Sequence, residues 1–238
     1  VLVITGLGVA FMEGNSKSFT RLAIKIFYQL TSRRFRIVVQ NIDDALELRL
    51  SSFKLINGSG ISGSATKISP RRNHLRLLFA GRLLKSKGVM ESLEVLRLLR
   101  LLDVNVTLTV AGGFDKENPD SISEDDYLKL REAEGVNLLG HVNNLDDIYK
   151  GVDVLLFLST YREGVPRVMI ESLRHGLTIC TLNMPGCKEG VVGNGIMIDS
   201  LEDRRQLVDY LASLNEQKLT ANMKNSHRLF ESKFSSKV

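Results

Sequence analysis

The sequence has no tryptophan, and Phe and Tyr together supply only 6% of its residues. It has two cysteines, no Cys-x-x-Cys pair and no histidines at metal-ligand spacing, which excludes a disulfide scaffold and a structural zinc site. No apolar run approaches the roughly 20 residues that a membrane-spanning helix needs. No repeat, heptad array or low-complexity tract occurs, so solenoids and coiled coils drop out. Asp-x-Asp is also missing, and with it the simplest way of holding a divalent cation on paired carboxylates.

What is present is an ordinary globular composition, 43% apolar and 25% charged. The 238 residues suffice for one large α/β domain, or for one complete domain and part of a second. A net charge of +5 favours anionic partners such as nucleotide diphosphates, acidic lipid surfaces or nucleic acid, without deciding among them. Cys180 and Cys187 are expected to be reduced thiols, so the protein is read as cytoplasmic, with peripheral membrane attachment open to it. Val1 to Thr5 already reads as a buried strand, and the chain is therefore expected to be a fragment of a longer one.

From Leu75 onward short apolar runs alternate with amphipathic stretches, the pattern of a parallel sheet covered by helices. Strands are expected at Leu75 to Ala80, Val104 to Ala111, Val136 to Leu139, Val152 to Ser159, Leu177 to Asn183 and Ile196 to Asp199. Helices are expected near Val89 to Leu102, Ser123 to Ala133, Leu145 to Lys150, Arg167 to His175 and Leu201 to Leu214. The fold class is α/β, a doubly wound Rossmann-like parallel sheet. Before it lie two or three βα units: strands at Val1 to Thr5, Arg36 to Asn41 and Phe53 to Asn57, with helices from about Ser16 to Leu30 and after Asp43. Residues Gly58 to Asn73, with Pro70, read as a linker. The expected organisation is a partial first domain over 1–65, a complete second domain over 66–215, and a helical segment over 216–238 crossing back to the first.

Two stretches carry chemistry. The strand ending at Ser159 runs into Tyr161-Arg162-Glu163-Gly164-Val165-Pro166 and then into a helix bearing Glu171. Ligand loops of open α/β sheets lie at the carboxyl ends of strands. Gly164 permits close backbone approach, and Pro166 suits a helix start whose free N–H groups can face a phosphate or a hydroxyl. Glu163 in the loop and Glu171 in the helix can hold opposite ends of one extended ligand, since carboxylates accept from vicinal hydroxyls. Spacing alone is equally met by a surface loop and a solvated helix residue.

The second stretch is Gly81-Arg82-Leu83-Leu84-Lys85-Ser86-Lys87-Gly88, between a strand and a helix. Arg82 and Lys87, flanked by glycine and backed by a helix dipole, suit a diphosphate, although a solvated turn has the same composition. Gly6-Leu7-Gly8 does not make a dinucleotide site, because Phe11 occupies the third glycine position and no helix follows directly. His74, His141, His175 and His227 read as structural. The pairs Asp43-Asp44, Asp125-Asp126 and Asp146-Asp147 read as helix starts rather than metal ligands.

Four blocks together resemble bacterial family 4 glycosyltransferases: Ala80 to Leu83 with Lys87-Gly88, Val136 to Val142, Tyr161 to Glu171, and Pro185 to Glu189. Thr5-Gly6-Leu7-Gly8, Gln40-Asn41 and Asn57-Gly58-Ser59-Gly60 look like the subgroup that builds lipid-linked precursors of surface polysaccharides. The resemblance implies a GT-B fold and transfer with retained anomeric configuration, by attack on the face that the phosphate leaves. It implies that Arg82 and Lys87 bind the donor diphosphate and stabilise the leaving group. Glu163 with Gly164, Val165 and Pro166 would hold the donor sugar, Glu171 the ribose, and Leu139, Gly140, His141 and Val142 would meet the base. Glu163, Arg82 and Lys87 are the expected catalytic group, with no metal and no cofactor.

The implied partners are a nucleotide-sugar donor, in first place a UDP-sugar, and a polyprenyl-diphosphate-linked sugar or glycan acceptor. Contact with an anionic membrane is compatible with this, and nucleic acid is not expected. Family members are longer at the amino end, and many carry a His after the strand that here ends in Thr5, a position where Thr cannot act as a base. A catalytically inactive nucleotide-sugar-binding module and a GT-B-type nucleotide-sugar epimerase remain as alternatives.

Overall fold

A computed structural model describes residues 1–11, 18–58, 60–63, 66 and 73–236. Pro70, Ser59 and the expected helix start at Ser16 lie outside the described residues. The elements are β1 (Leu2–Ile4), α1 (Ser18–Thr31), β2 (Ile37–Val39), α2 (Ile42–Glu47) and β3 (Lys54–Leu55), followed by β4 (Leu75–Ala80), α3 (Val89–Leu101), β5 (Val106–Ala111), α4 (Glu124–Glu132) and β6 (Val136–Gly140). Then come α5 (Asp146–Lys150), β7 (Val154–Phe157), α6 (Arg167–Arg174), β8 (Thr178–Leu182), β9 (Gly195–Ile198), α7 (Arg204–Ala212) and α8 (Glu216–Leu229).

Two parallel sheets result: β1-β2-β3, and a six-stranded sheet in the order β6-β5-β4-β7-β8-β9. The larger sheet is buried on both faces, which is why its central strands read as continuous apolar runs rather than alternating ones. Leu77 and Phe79 of β4 belong to the core on one face, with Val154 of β7, Leu93 of α3, and Val208 and Leu211 of α7. Leu78 and Ala80 point the other way, into a core completed by Met169, Ile170 and Leu173 of α6 and by Phe230 and Phe234. Arg76 interrupts the apolar run of β4 without leaving the interior: its Nε and backbone N–H both donate to Asp153 Oδ2, at 2.8 and 3.0 Å.

Helix starts follow local chemistry. Ser123 accepts from Asp126 N–H to begin α4, Asn215 accepts from Lys218 N–H to begin α8, and Ser200 with Asp203 forms a capping box ahead of α7. The stretch expected as one helix from Leu201 opens as a 3-10 turn over Leu201–Asp203. Helix α8 packs on α6 and β8, and its continuation pairs Ser235 with Ile61.

The small sheet buries Ile4, Ile37, Val39, Ala45 and Leu48 with Phe11. The expectation of a buried first strand is corrected to a strand buried on one face: Val1 and Val3 are exposed at 80% and 60%. The strand pleat sends Ile4 into this core and Val3 to the opposite side, which no described element covers.

Candidate functional site

Chain order in the large sheet runs β4, β5, β6 toward one edge, then restarts at β7 on the other side of β4. The reversal falls at the carboxyl ends of β4 and β7, the place where open α/β sheets take ligands. Because those strands are parallel neighbours, the two loops singled out in the sequence lie side by side. Thr160 N–H and the Ser159 hydroxyl both donate to the Ser86 carbonyl, at 2.9 and 3.2 Å. Lys87 Nζ reaches across to form an ion pair with Glu163, with 17% and 18% of the two side chains exposed. The same ammonium stands 5.0 Å from the centre of the Tyr161 ring. Arg82 is exposed, and its side chain makes no ion pair or hydrogen bond among the described residues.

The loop from Tyr161 to Pro166, here called the clamp loop, is held from behind by the small sheet and α2. Asn41 Nδ2 donates to the Glu163 carbonyl at 3.2 Å, and Gln40 Oε1 accepts from Val165 N–H at 3.4 Å. Arg162 pairs with Asp44 at 3.2 Å and Lys188 with Asp43 at 2.8 Å. Asp44 is fully buried, and burial pushes its carboxyl above the usual carboxylate range against the opposing pull of Arg162 and Asn41. The backbones approach closely: a Cβ on Gly164 would stand 2.1 Å from the Thr5 carbonyl oxygen. Asp43 and Asp44 do open a helix as expected, with Asn41 as its cap. Their second task, docking onto Arg162 of the clamp loop and onto Lys188 of the Pro185 to Glu189 loop, was not visible in the sequence, because nothing local pairs residues 118 and 145 positions apart.

Helix α6 begins directly after Pro166 and carries Glu171 one turn in. Oε2 of Glu171 accepts from the Tyr149 hydroxyl at 2.9 Å, and Oε1 accepts from Arg167 Nε at 2.8 Å. Glu171, Arg167 and Val142 line one cavity of about 660 Å³ together with Asn143, Asn144 and Tyr149. Of the loop expected at the base, Val142 alone joins that lining; Leu139 and His141 are exposed, and His141 Nε2 lies 3.0 Å from Asn143 Oδ1. Thus Glu163 and Lys87 meet, Glu171 and Val142 share a cavity, and Arg82 stands exposed just after β4.

Both cysteines are fully buried, and burial pushes the Cys187 thiol up to about 12. Among the described residues no three His, Cys, Asp or Glu side chains gather to hold a metal ion, and no helix is long and apolar enough to cross a membrane.

A parallel sheet covered on both faces, a second parallel sheet docked by its strand ends, and acidic and basic groups at the switch point define a doubly wound α/β protein. The family profile described as glycosyl transferases group 1 matches residues 66–230. The chain belongs to that family. Among curated proteins it is 30% identical to the capsular polysaccharide biosynthesis glycosyltransferase CapM of Staphylococcus aureus over 164 residues, 67% of this chain and 42% of CapM. It is 24% identical to the O-antigen biosynthesis glycosyltransferase WbnH of Escherichia coli over 204 residues, 85% of this chain and 57% of WbnH. The chain spans about half the length of these relatives. Among solved structures, pneumococcal O-GlcNAc transferase GtfA in complex with UDP and GlcNAc superposes with a TM-score of 0.76 at 19% identity, covering 99% of this chain and 49% of GtfA. Anabaena Alr3699/HepE in complex with UDP-glucose gives 0.68 at 18% identity, covering 93% of this chain and 66% of that protein. The fold is of the GT-B type expected from the sequence.

Proposed function

We propose that this chain carries the donor site of a retaining glycosyltransferase that moves a hexose or N-acetylhexosamine from a UDP-sugar to a polyprenyl-linked or glycan acceptor in surface polysaccharide synthesis. The observation that carries the reading is the meeting of Lys87 and Glu163 at the β4/β7 switch point, beside the exposed Arg82. In the proposed complex, Arg82 and Lys87 face the diphosphate and stabilise the negative charge that grows on it as the glycosidic bond breaks. Lys87 exchanges its partner, leaving Glu163 free to accept from hydroxyls of the sugar, while the backbone of Gly164 to Pro166 closes over it. Glu171 accepts from the ribose, and Val142, at the end of the loop from Leu139, lies against the base. Cationic side chains supply the charge compensation, so the reaction is proposed to need no metal. The protein works at the cytoplasmic face of a membrane, where a polyprenyl-linked acceptor resides. These roles draw on the UDP and sugar that structural neighbours hold, and on the surface-polysaccharide relatives.

Calorimetric titration with UDP and with UDP-sugars, in the presence and absence of EDTA, tests this directly. Equal binding in both conditions is expected, and absence of UDP binding by folded protein overturns the reading. Glu171→Ala should weaken UDP itself by about tenfold or more, as loss of hydrogen bonds to a charged group does. Glu163→Ala should leave UDP nearly untouched and flatten the preference among UDP-sugars. Equal losses for UDP and UDP-sugar in both variants refute the division of labour.

A further inference from the structure

Glu171 has both carboxylate oxygens occupied by donors of opposite character. Tyr149, on Oε2, has no exposed surface, sits at the floor of the cavity and stacks on the buried His175 ring at a centroid distance of 5.1 Å and an interplanar angle of 23°. Burial first, and then the adjacent Glu171 carboxylate, push the Tyr149 hydroxyl far above its ordinary value, so it keeps its proton and acts as a donor. Arg167, on Oε1, is 76% exposed and is a helix neighbour four positions away. Exposed pairs of that kind are weak and screened by salt.

We propose that Tyr149 is a positioning residue that locks the Glu171 carboxylate by one oxygen, and that Arg167 is a displaceable placeholder on the other, occupying the acceptor that a ribose hydroxyl takes. The inference rests on the reading of Glu171 as the ribose-binding group. The asymmetry carries it: a fixed, buried donor orients a carboxylate without entropy cost at binding, whereas an exposed arginine yields its place to an incoming diol. A carboxylate free to rotate would present its acceptors to two vicinal hydroxyls in one of many orientations; held at Oε2, it presents Oε1 toward the cavity.

Binding of UDP and 2′-deoxy-UDP to the intact protein and to Tyr149→Phe, Arg167→Met and Glu171→Ala tests the proposal. The phenylalanine variant keeps the ring and its stack and loses one oxygen. It is expected to bind UDP about tenfold more weakly, with much of the preference for UDP over 2′-deoxy-UDP gone, because a neutral-to-charged hydrogen bond is worth at least about that factor. Equal weakening toward both nucleotides would mean a merely structural role for Tyr149 and overturns the positioning assignment, as does unchanged affinity. Arg167→Met, which does not touch the interior, is expected to bind UDP at least as tightly as the native protein; a tenfold loss overturns the placeholder assignment. Failure of the underlying reading looks different: Glu171→Ala would then bind UDP and 2′-deoxy-UDP as the native protein does.

Discussion

Substituting alanine at three glycines separates the cost of backbone conformation from the cost of space around the clamp. Gly140 has φ +69°, and a Cβ there would meet nothing within 4 Å, so Gly140→Ala probes conformation alone. Gly112 has no left-handed φ, but its Cβ would stand 1.9 Å from the Gly81 carbonyl oxygen, so Gly112→Ala probes space alone. Gly186 combines both, with φ +80° and a Cβ 1.4 Å from the carbonyl oxygen of Gly164 in the clamp. A left-handed alanine costs about 1–2 kcal/mol, offset by about 0.4–1 kcal/mol from the stiffer unfolded chain. Forcing extra volume into a packed site costs about 1–3 kcal/mol, and here the obstructing atoms are backbone rather than the tips of flexible side chains. Gly140→Ala is therefore expected to lose about 1.6 kcal/mol or less, Gly112→Ala about 2.6 kcal/mol or less, and Gly186→Ala about 1–4.6 kcal/mol. Urea unfolding followed by circular dichroism, with the slope held common, reads these differences. Gly186→Ala should also weaken UDP-sugar binding in conditions where it remains folded, since relief of the clash displaces the loop that carries Glu163. If Gly186→Ala were no less stable than Gly140→Ala, the close seating of the Pro185 to Glu189 loop on the clamp would be wrong.

Two further expectations concern the interior. Asp153→Ala leaves the buried Arg76 guanidinium uncompensated and should cost about 3–5 kcal/mol, whereas the double variant Arg76→Met, Asp153→Leu should regain most of it in the same urea assay. A loss under about 1 kcal/mol for the single variant would show that the pair is not closed off from water. For pH, burial holds His175 and His227 below the ordinary histidine range, so as pH falls the unfolded chain takes up protons at these positions before the folded protein does. Their contribution is present above about pH 6.5 and is lost as pH falls toward their folded values, by at most about 1.4 kcal/mol per pH unit for each. Stability measured at pH 7.5 and 5.5 should therefore fall less in His175→Gln than in the native protein, and an equal fall in both refutes the assignment.

The order and type of elements after Leu75 were legible in the sequence, because a sheet buried on both faces needs long apolar strands and its helices need a separate 3.6-residue stripe. The two loops that meet at the carboxyl ends of β4 and β7 were legible as separate stretches, since glycine, proline and charge stand at the ends of strands. Tertiary structure decided what the spacing left open. Lys87 and Glu163 meet because β4 and β7 are neighbours across the reversal of strand order, a pairing 76 positions apart that no local pattern encodes. Gln40, Asn41, Asp43 and Asp44 back the clamp because the small sheet docks its strand ends there, and Tyr149, hidden in a helix of five residues, reaches Glu171 only through packing. Periodicity and turn chemistry are properties of neighbours along the chain, and they specify elements. The choice of partner for a charged side chain is made by strand order and burial, and it exists only once the sheet is assembled.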